Sequence, residues 1–236
     1  MAKQAKKKTT TKPRPKTMAL RVAPRAAWAA LAGTEEEFEQ ARRWLMRRDV
    51  RLGPLIKKVG RCRLPDGRTR HPFAALVRAI LSQQLSGKAA DTIHGRMVAV
   101  LGGAEFLTAE RLLAADPVAL RAAGVSGPKI KYLRDLAERV CDNRLDLHAL
   151  DLQSDEEVIA ALTAVKGMGR WTAEMFLMFR LNRPDVFPVD DLGIVKGVQK
   201  LFGMKRRPKP RTMVRLAEPW RPYRSIAAWY LWRLHE

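Results

Sequence analysis

The chain has 236 residues, 47% of them hydrophobic, which suits one domain or two small ones around a buried core. Lys and Arg number 45 against 24 acidic residues, a formal charge of +21. That charge implies a polyanionic partner, with nucleic acid ahead of a membrane surface and of a merely solvated basic face. Two cysteines, Cys62 and Cys141, exclude a four-cysteine iron–sulfur cluster, and the absence of clustered Cys/His spacing excludes an ordinary zinc finger. No apolar run approaches the ~20 residues of a membrane span. The N-terminus is basic without the apolar core of a secretion signal, so an intracellular, soluble protein is expected.

Residues 1–17 hold seven basic and no acidic residue. They are poor in large apolar groups and are read as a disordered tail. It either holds DNA non-specifically or is a solubilising leader. Without them, 38 basic residues still face 24 acidic ones. From Met18 the pattern is helical. A helix is expected over 34–48, with Thr34 as cap and Glu35, Glu36 and Glu37 in its first turn. Phe73, Leu76, Val77, Ile80, Leu81 and Gln84 recur at helical spacing. Further helices are expected near 87–101, 108–115, 128–141, 154–164, 170–181, 191–202 and 221–235, and strand signals are sparse. The fold class is therefore all-α.

Two glycine loops look alike, Gly124-Val125-Ser126-Gly127 and Gly167-Met168-Gly169, each between helices. Before the second, Ser154 and Glu157 form a capping box, and Val158, Leu162 and Val165 line the apolar face of the helix they start. A new helix opens at Arg170 or Trp171. Free amides at a helix start suit a phosphate, and Lys166 and Arg170 add positive charge. The plainer reading is a helix–turn–helix corner with a glycine cap. Further on, Asp190-Asp191 opens another helix. By itself such a pair is one N-cap plus one dipole-stabilising charge.

The run Leu162-Thr163-Ala164-Val165-Lys166-Gly167-Met168-Gly169-Arg170-Trp171-Thr172-Ala173 resembles the helix–hairpin–helix of the DNA glycosylase superfamily that also contains endonuclease III. The resemblance covers about residues 70–235. It implies a two-lobed helical fold with the active site in the cleft between lobes. The glycosylase domain would be 18–236, its middle lobe about 76–190 and its other lobe 18–75 plus 191–236. It further implies that the hairpin amides grip a phosphate of duplex DNA, with Lys166, Gly167, Met168, Gly169, Arg170 and Thr172 as the DNA-binding residues there and Lys166 and Lys196 as phosphate contacts. A monovalent cation would sit at the hairpin's backbone carbonyls, with no cofactor required and no metal ligated by side chains. The family's catalytic aspartate is followed by an aliphatic residue at the third position and a basic one at the fifth. Ile194 and Lys196 place it at Asp191, leaving Asp190 as the cap. A carboxylate there stabilises the positive charge that builds on the sugar as a glycosidic bond breaks.

The family's strand-cleaving members carry a Schiff-base lysine two positions after the second hairpin glycine. This chain has Trp171, which implies base removal alone. Gly-Arg-Trp-Thr-Ala and the segment 217–232 are similar to the DNA-3-methyladenine glycosylase II branch, in a short form without an N-terminal β domain. By that resemblance Trp171, Trp232 and Met175 line the pocket for a flipped base, and the Met, where an aromatic is usual, makes the pocket less aromatic. Gln84, or else Leu85, fills the gap left by that base, with Ser86 beside them on the DNA. Lys129 and Lys131 approach the DNA backbone from the first glycine loop. The implied partner is duplex DNA with damaged bases, bound by a monomer. The expected location is cytoplasmic and nucleoid-associated in a bacterium, nuclear in a eukaryote. Oxidised or deaminated purines as substrates, or a non-catalytic DNA-binding role, are the alternatives.

Overall fold

Twelve α-helices and four single 3-10 turns account for the regular structure of the computed structural model, which describes residues 35–64 and 71–235; among these there is no strand. The tail, Thr34 and the start of the glycosylase-like region lie outside the described residues. The helices are α1 Glu35–Arg48, α2 Leu52–Val59, α3 Pro72–Ser82, α4 Gly87–Val100, α5 Ala109–Ala114 and α6 Pro117–Ala122. They continue with α7 Gly127–Cys141, α8 Asp155–Thr163, α9 Arg170–Phe179, α10 Leu192–Leu201, α11 Pro210–Ala217 and α12 Arg224–Trp232. Three of these, α2, α6 and α11, are not expected from periodicity. Each has only six to eight residues, so its helical period is weak, although α5, six residues long, is expected over 108–115. Each starts beside a local signal instead: Pro117 and Pro210 at a first helical turn, and Asp49 before α2. The expected 221–235 helix begins later, at Arg224, after a 3-10 turn at Glu218–Trp220.

Local chemistry explains several boundaries. Ser86 Oγ accepts the Ala89 amide, Thr108 Oγ1 that of Arg111 and Asp116 Oδ1 that of Val118, each opening a helix. The capping box at α8 is present in both directions, with Glu157 N–H on Ser154 Oγ at 3.1 Å and Ser154 N–H on Glu157 Oε2 at 2.6 Å.

Packing brings distant segments together. Helix α12 lies against α1, α2 and α10, while α7 lies against α3, α5 and α6, and α9 against α8 and α3. Trp220 is fully buried, and its Nε1–H donates to Asp49 Oδ2 at 2.9 Å. The other oxygen of Asp49 accepts the amides of Arg51 and Leu52. One side chain thus starts α2 and ties it to the C-terminal region. Asp49→Ala is expected to cost about 2–3 kcal/mol, because it leaves a buried indole donor unpaired and removes a helix start. A urea unfolding midpoint equal to that of the native chain would contradict this.

The crossing from α9 to α10 is also fixed. Arg183 Nη2 donates to the carbonyls of Asp151 and Gln153, Asp185 receives Arg221 and Arg224, and buried Ser225 Oγ accepts the Val186 amide at 2.9 Å. These bonds position the segment that ends at Asp191.

Candidate active site

Asp191 stands where three helices meet. It ends the crossing segment, caps α10, and faces the start of α9 and the end of α12. Its side chain is 8% exposed. Oδ1 accepts the Ile194 amide and Trp232 Nε1–H, both at 2.8 Å, and Oδ2 accepts Trp171 Nε1–H at 2.8 Å. The expectation that Asp190 is the cap is therefore corrected. Asp190 is exposed, and Asp191 is both the cap and the carboxylate in the pocket. The two roles are compatible because a carboxylate has about four acceptor sites and three are used here. The helix start and two indole donors hold the carboxylate in one orientation.

Around it is a cavity of about 470 Å³ lined by Trp171, Met175, Phe179, Asp191, Gly193, Trp229, Trp232 and Arg233. The expected pocket residues Trp171, Trp232 and Met175 are all there. Trp171 is 47% exposed, a large aromatic surface turned to solvent at the mouth. The pocket is more aromatic than the Met175 position implied. Phe179 lies one turn further along α9 and stacks on Trp232, with centroids 5.7 Å apart and planes at 19°. Trp171, Met175 and Phe179 share the i, i+4, i+8 spacing of one helix face, the sequence signal that could have identified Phe179. Trp229, three residues before Trp232 on α12, is a pocket residue not expected from the sequence. It brings Arg233 with it, whose guanidinium lies 4.3 Å from the Trp229 ring centroid.

Gly193 is required by this packing. A Cβ there would stand 2.7 Å from Trp232 Cδ1 and 3.0 Å from its Nε1. Any larger residue would push the indole off Asp191.

The hairpin lies at the other end of Trp171's neighbourhood. Gly169 precedes α9 without a side-chain cap, so the first amides of α9 have no intrahelical acceptor. The space around Gly169 is open to an approaching backbone. Not every hairpin side chain faces outward. Met168 and Thr172 are buried, and the Met168 amide donates to the Val165 carbonyl at 3.1 Å, so of the two only the Thr172 amide is available to a phosphate. Arg170 pairs with Glu156 at 2.7 Å and with Glu174 at 3.1 Å. Burial raises the Glu174 carboxyl above its ordinary range, against the opposing pull of Arg170. Lys166 extends its ammonium outward, 3.5 Å from Asp135. Gln84 and Leu85 are exposed at the α3–α4 loop, and Ser86 is occupied as the α4 cap.

Lys129 departs from expectation. Its ammonium donates to the carbonyls of Leu81 and Gln83, both at 2.7 Å, instead of reaching outward. Burial lowers its pKa. Lys131 is exposed. Residues that sequence reasoning missed complete the surroundings. Gln83 Nε2 donates to the Gly167 carbonyl at 2.8 Å, and Asp135 Oδ2 accepts the Lys166 amide at 2.9 Å. Burial pushes the Asp135 carboxyl up, but the Lys166 amide and Arg139 outweigh it and hold it below the ordinary range.

Comparison with known proteins agrees with this geometry. Residues 77–222 match the HhH-GPD superfamily of base excision DNA repair proteins. The chain is 38% identical over 181 residues to a Schizosaccharomyces pombe protein named DNA-3-methyladenine glycosylase 1, covering 76% of this chain and 79% of that one. It is 31% identical over 202 residues to alkylbase DNA glycosidase-like protein mag2 of the same yeast, covering 85% and 95%. Among solved structures, the S. pombe 3-methyladenine DNA glycosylase in complex with abasic DNA superposes with a TM-score of 0.73 at 36% identity, over 82% of this chain and 95% of that one. With the hairpin, the buried aspartate and the aromatic cavity in one arrangement, the chain belongs to the HhH-GPD superfamily of base excision DNA repair proteins.

Proposed function

We propose that this protein is a monofunctional DNA glycosylase that flips alkylated bases of the 3-methyladenine type out of duplex DNA and hydrolyses their N-glycosidic bond. The observation that carries this reading is Asp191, pinned by two indole N–H groups at the wall of an aromatic cavity. Alkylation at a ring nitrogen makes a purine cationic. Such a base is drawn to electron-rich indole faces and leaves as a neutral molecule. The electron pair of the C1′–N bond departs with the base, and water adds its oxygen to C1′. Asp191 stabilises the charge building on the sugar and orients that water, whose proton passes to solvent. No lysine stands at position 171 to attack C1′, so the strand stays intact. The names of the relatives support the alkylated-base reading.

The protein would act as a monomer inside the cell. Among the described residues no helix is long and apolar enough to cross a membrane. No cofactor is required. A monovalent cation at the hairpin also fits, since the Val165 and Gly167 carbonyls each carry one hydrogen bond and keep a second lone pair. Replacing potassium by lithium should then weaken duplex binding.

Duplexes carrying single defined lesions test the reading. Alkylated purines should be released and oxidised ones left in place, with strand breaks only after alkali. Breaks without alkali would refute the one-step chemistry. Affinity should also fall with salt, with a slope in log–log form of about 0.9 per phosphate neutralised.

A further inference from the structure

We propose that Gln83 is a positioning residue that couples the loop displacing the base to the hairpin gripping the phosphate, so that the two engage as one unit. The inference rests on the reading of Gln84 or Leu85 as the group that enters the gap in the duplex.

The loop leaves α3 at Gln83, whose backbone is extended (φ −55°, ψ 128°), and turns at Gln84, which sits in the left-handed region at φ 57°. Such a conformation is unusual for a residue with a side chain and persists only when its surroundings hold it. Two side chains supply that hold. Lys129 Nζ bonds the Leu81 and Gln83 carbonyls, and Gln83 Nε2 reaches across to the Gly167 carbonyl. Gly167 lies two residues before Gly169, whose neighbouring amides open α9. The residue next to the inserting group is therefore bonded directly to the turn that faces the phosphate.

One helix carries both ends of this brace. Lys129, Tyr132 and Asp135 follow one another at spacing three along α7, which places them on one side of it. Lys129 holds the loop. The Tyr132 ring fills the space under Gly167, where a Cβ would be 2.2 Å from its Cδ2. Asp135 accepts the Lys166 amide. Helix α7 follows the first glycine loop, Gly124–Gly127. That second hairpin-like segment thus starts the helix on which both DNA-facing loops are mounted. A phosphate seated on α9 fixes Gly167, and through Gln83 it fixes the backbone of Gln84 before insertion.

The test uses the full chain, with a duplex carrying one alkylated adenine beside 2-aminopurine, followed by stopped-flow fluorescence and by single-turnover base release. Gln83→Ala is expected to slow the fluorescence step at least tenfold and to leave affinity for undamaged duplex within twofold. The deficit should shrink to less than twofold when the lesion lies opposite an abasic site, where little pairing has to be broken. A loosened fold alone would slow both substrates. Lys129→Met, which cuts the other arm, should show the same selectivity. Equal slowing of both substrates, or no slowing by Gln83→Ala, overturns the coupling. The controls Gln84→Ala and Leu85→Ala separate the two ideas. If either slows flipping and Gln83→Ala does not, the coupling alone fails. If neither does, the displacement reading falls and the coupling with it.

Discussion

Asp191→Asn should all but abolish base release while leaving the fold and duplex affinity nearly unchanged. Asparagine is as good a helix cap as aspartate, so its carbonyl oxygen can still take the Ile194 amide. What it lacks is negative charge. It also turns an amide NH₂ toward the Trp171 indole N–H, which now bonds an acceptor, while the carbonyl oxygen keeps Trp232. Loss of a preorganised charge facing a developing cation is worth about 4 kcal/mol, or about a thousandfold in single-turnover rate. Duplex affinity measured by anisotropy should change less than twofold, because the phosphate contacts lie on the hairpin. Asp191→Ala should lose the rate equally and also cost about 1 kcal/mol of stability through the missing cap. Retention of base release in Asp191→Asn would end the catalytic assignment.

The second large effect is expected at the hairpin. Gly167 has φ +77°, and an added Cβ would lie 2.2 Å from Tyr132 Cδ2 and 2.5 Å from two further ring atoms. Gly167→Ala therefore meets a backbone penalty of about 1–2 kcal/mol and a steric one of similar size. Thermal unfolding should show a loss of about 3 kcal/mol. The turn must also shift, carrying the amides before α9 off the phosphate position, so affinity for undamaged duplex should drop about tenfold, or ~1.4 kcal/mol. Tyr132→Ala in the Gly167→Ala background removes the clash but not the backbone strain, and should restore part of the binding. No recovery there would mean that Tyr132 does not set the hairpin's place.

These two positions also show how unevenly the site was legible. Gly167 and Asp191 stand in short, contiguous patterns whose chemistry is local: a tight turn before a helix, and an acid at a helix start. The capping box at Ser154 and Glu157 and most helix spans are local in the same sense and were readable from spacing. The short helices α2, α6 and α11 were not, because six to eight residues give only a weak period, although the equally short α5 was expected over 108–115. The assignment of the cap to Asp190 failed for a related reason: sequence treats capping and catalysis as exclusive, whereas one carboxylate has acceptor sites for both.

An all-helical, basic chain, the hairpin and an acid at a helix start after it were readable from the order of residues. The burial of that acid and its surroundings come from packing between distant segments. Trp171 and Trp232 lie 20 and 41 residues from Asp191, and Gln83 lies 84 from Gly167. Phe179 stacks on Trp232 because α9 and α12 meet there. Nothing local shows that Gln83 reaches Gly167, or marks Lys129 apart from Lys131. Their roles depend on which carbonyl the folded chain brings within 3 Å, and that is set by how the buried faces of separate helices pack rather than by any residue's neighbours in sequence.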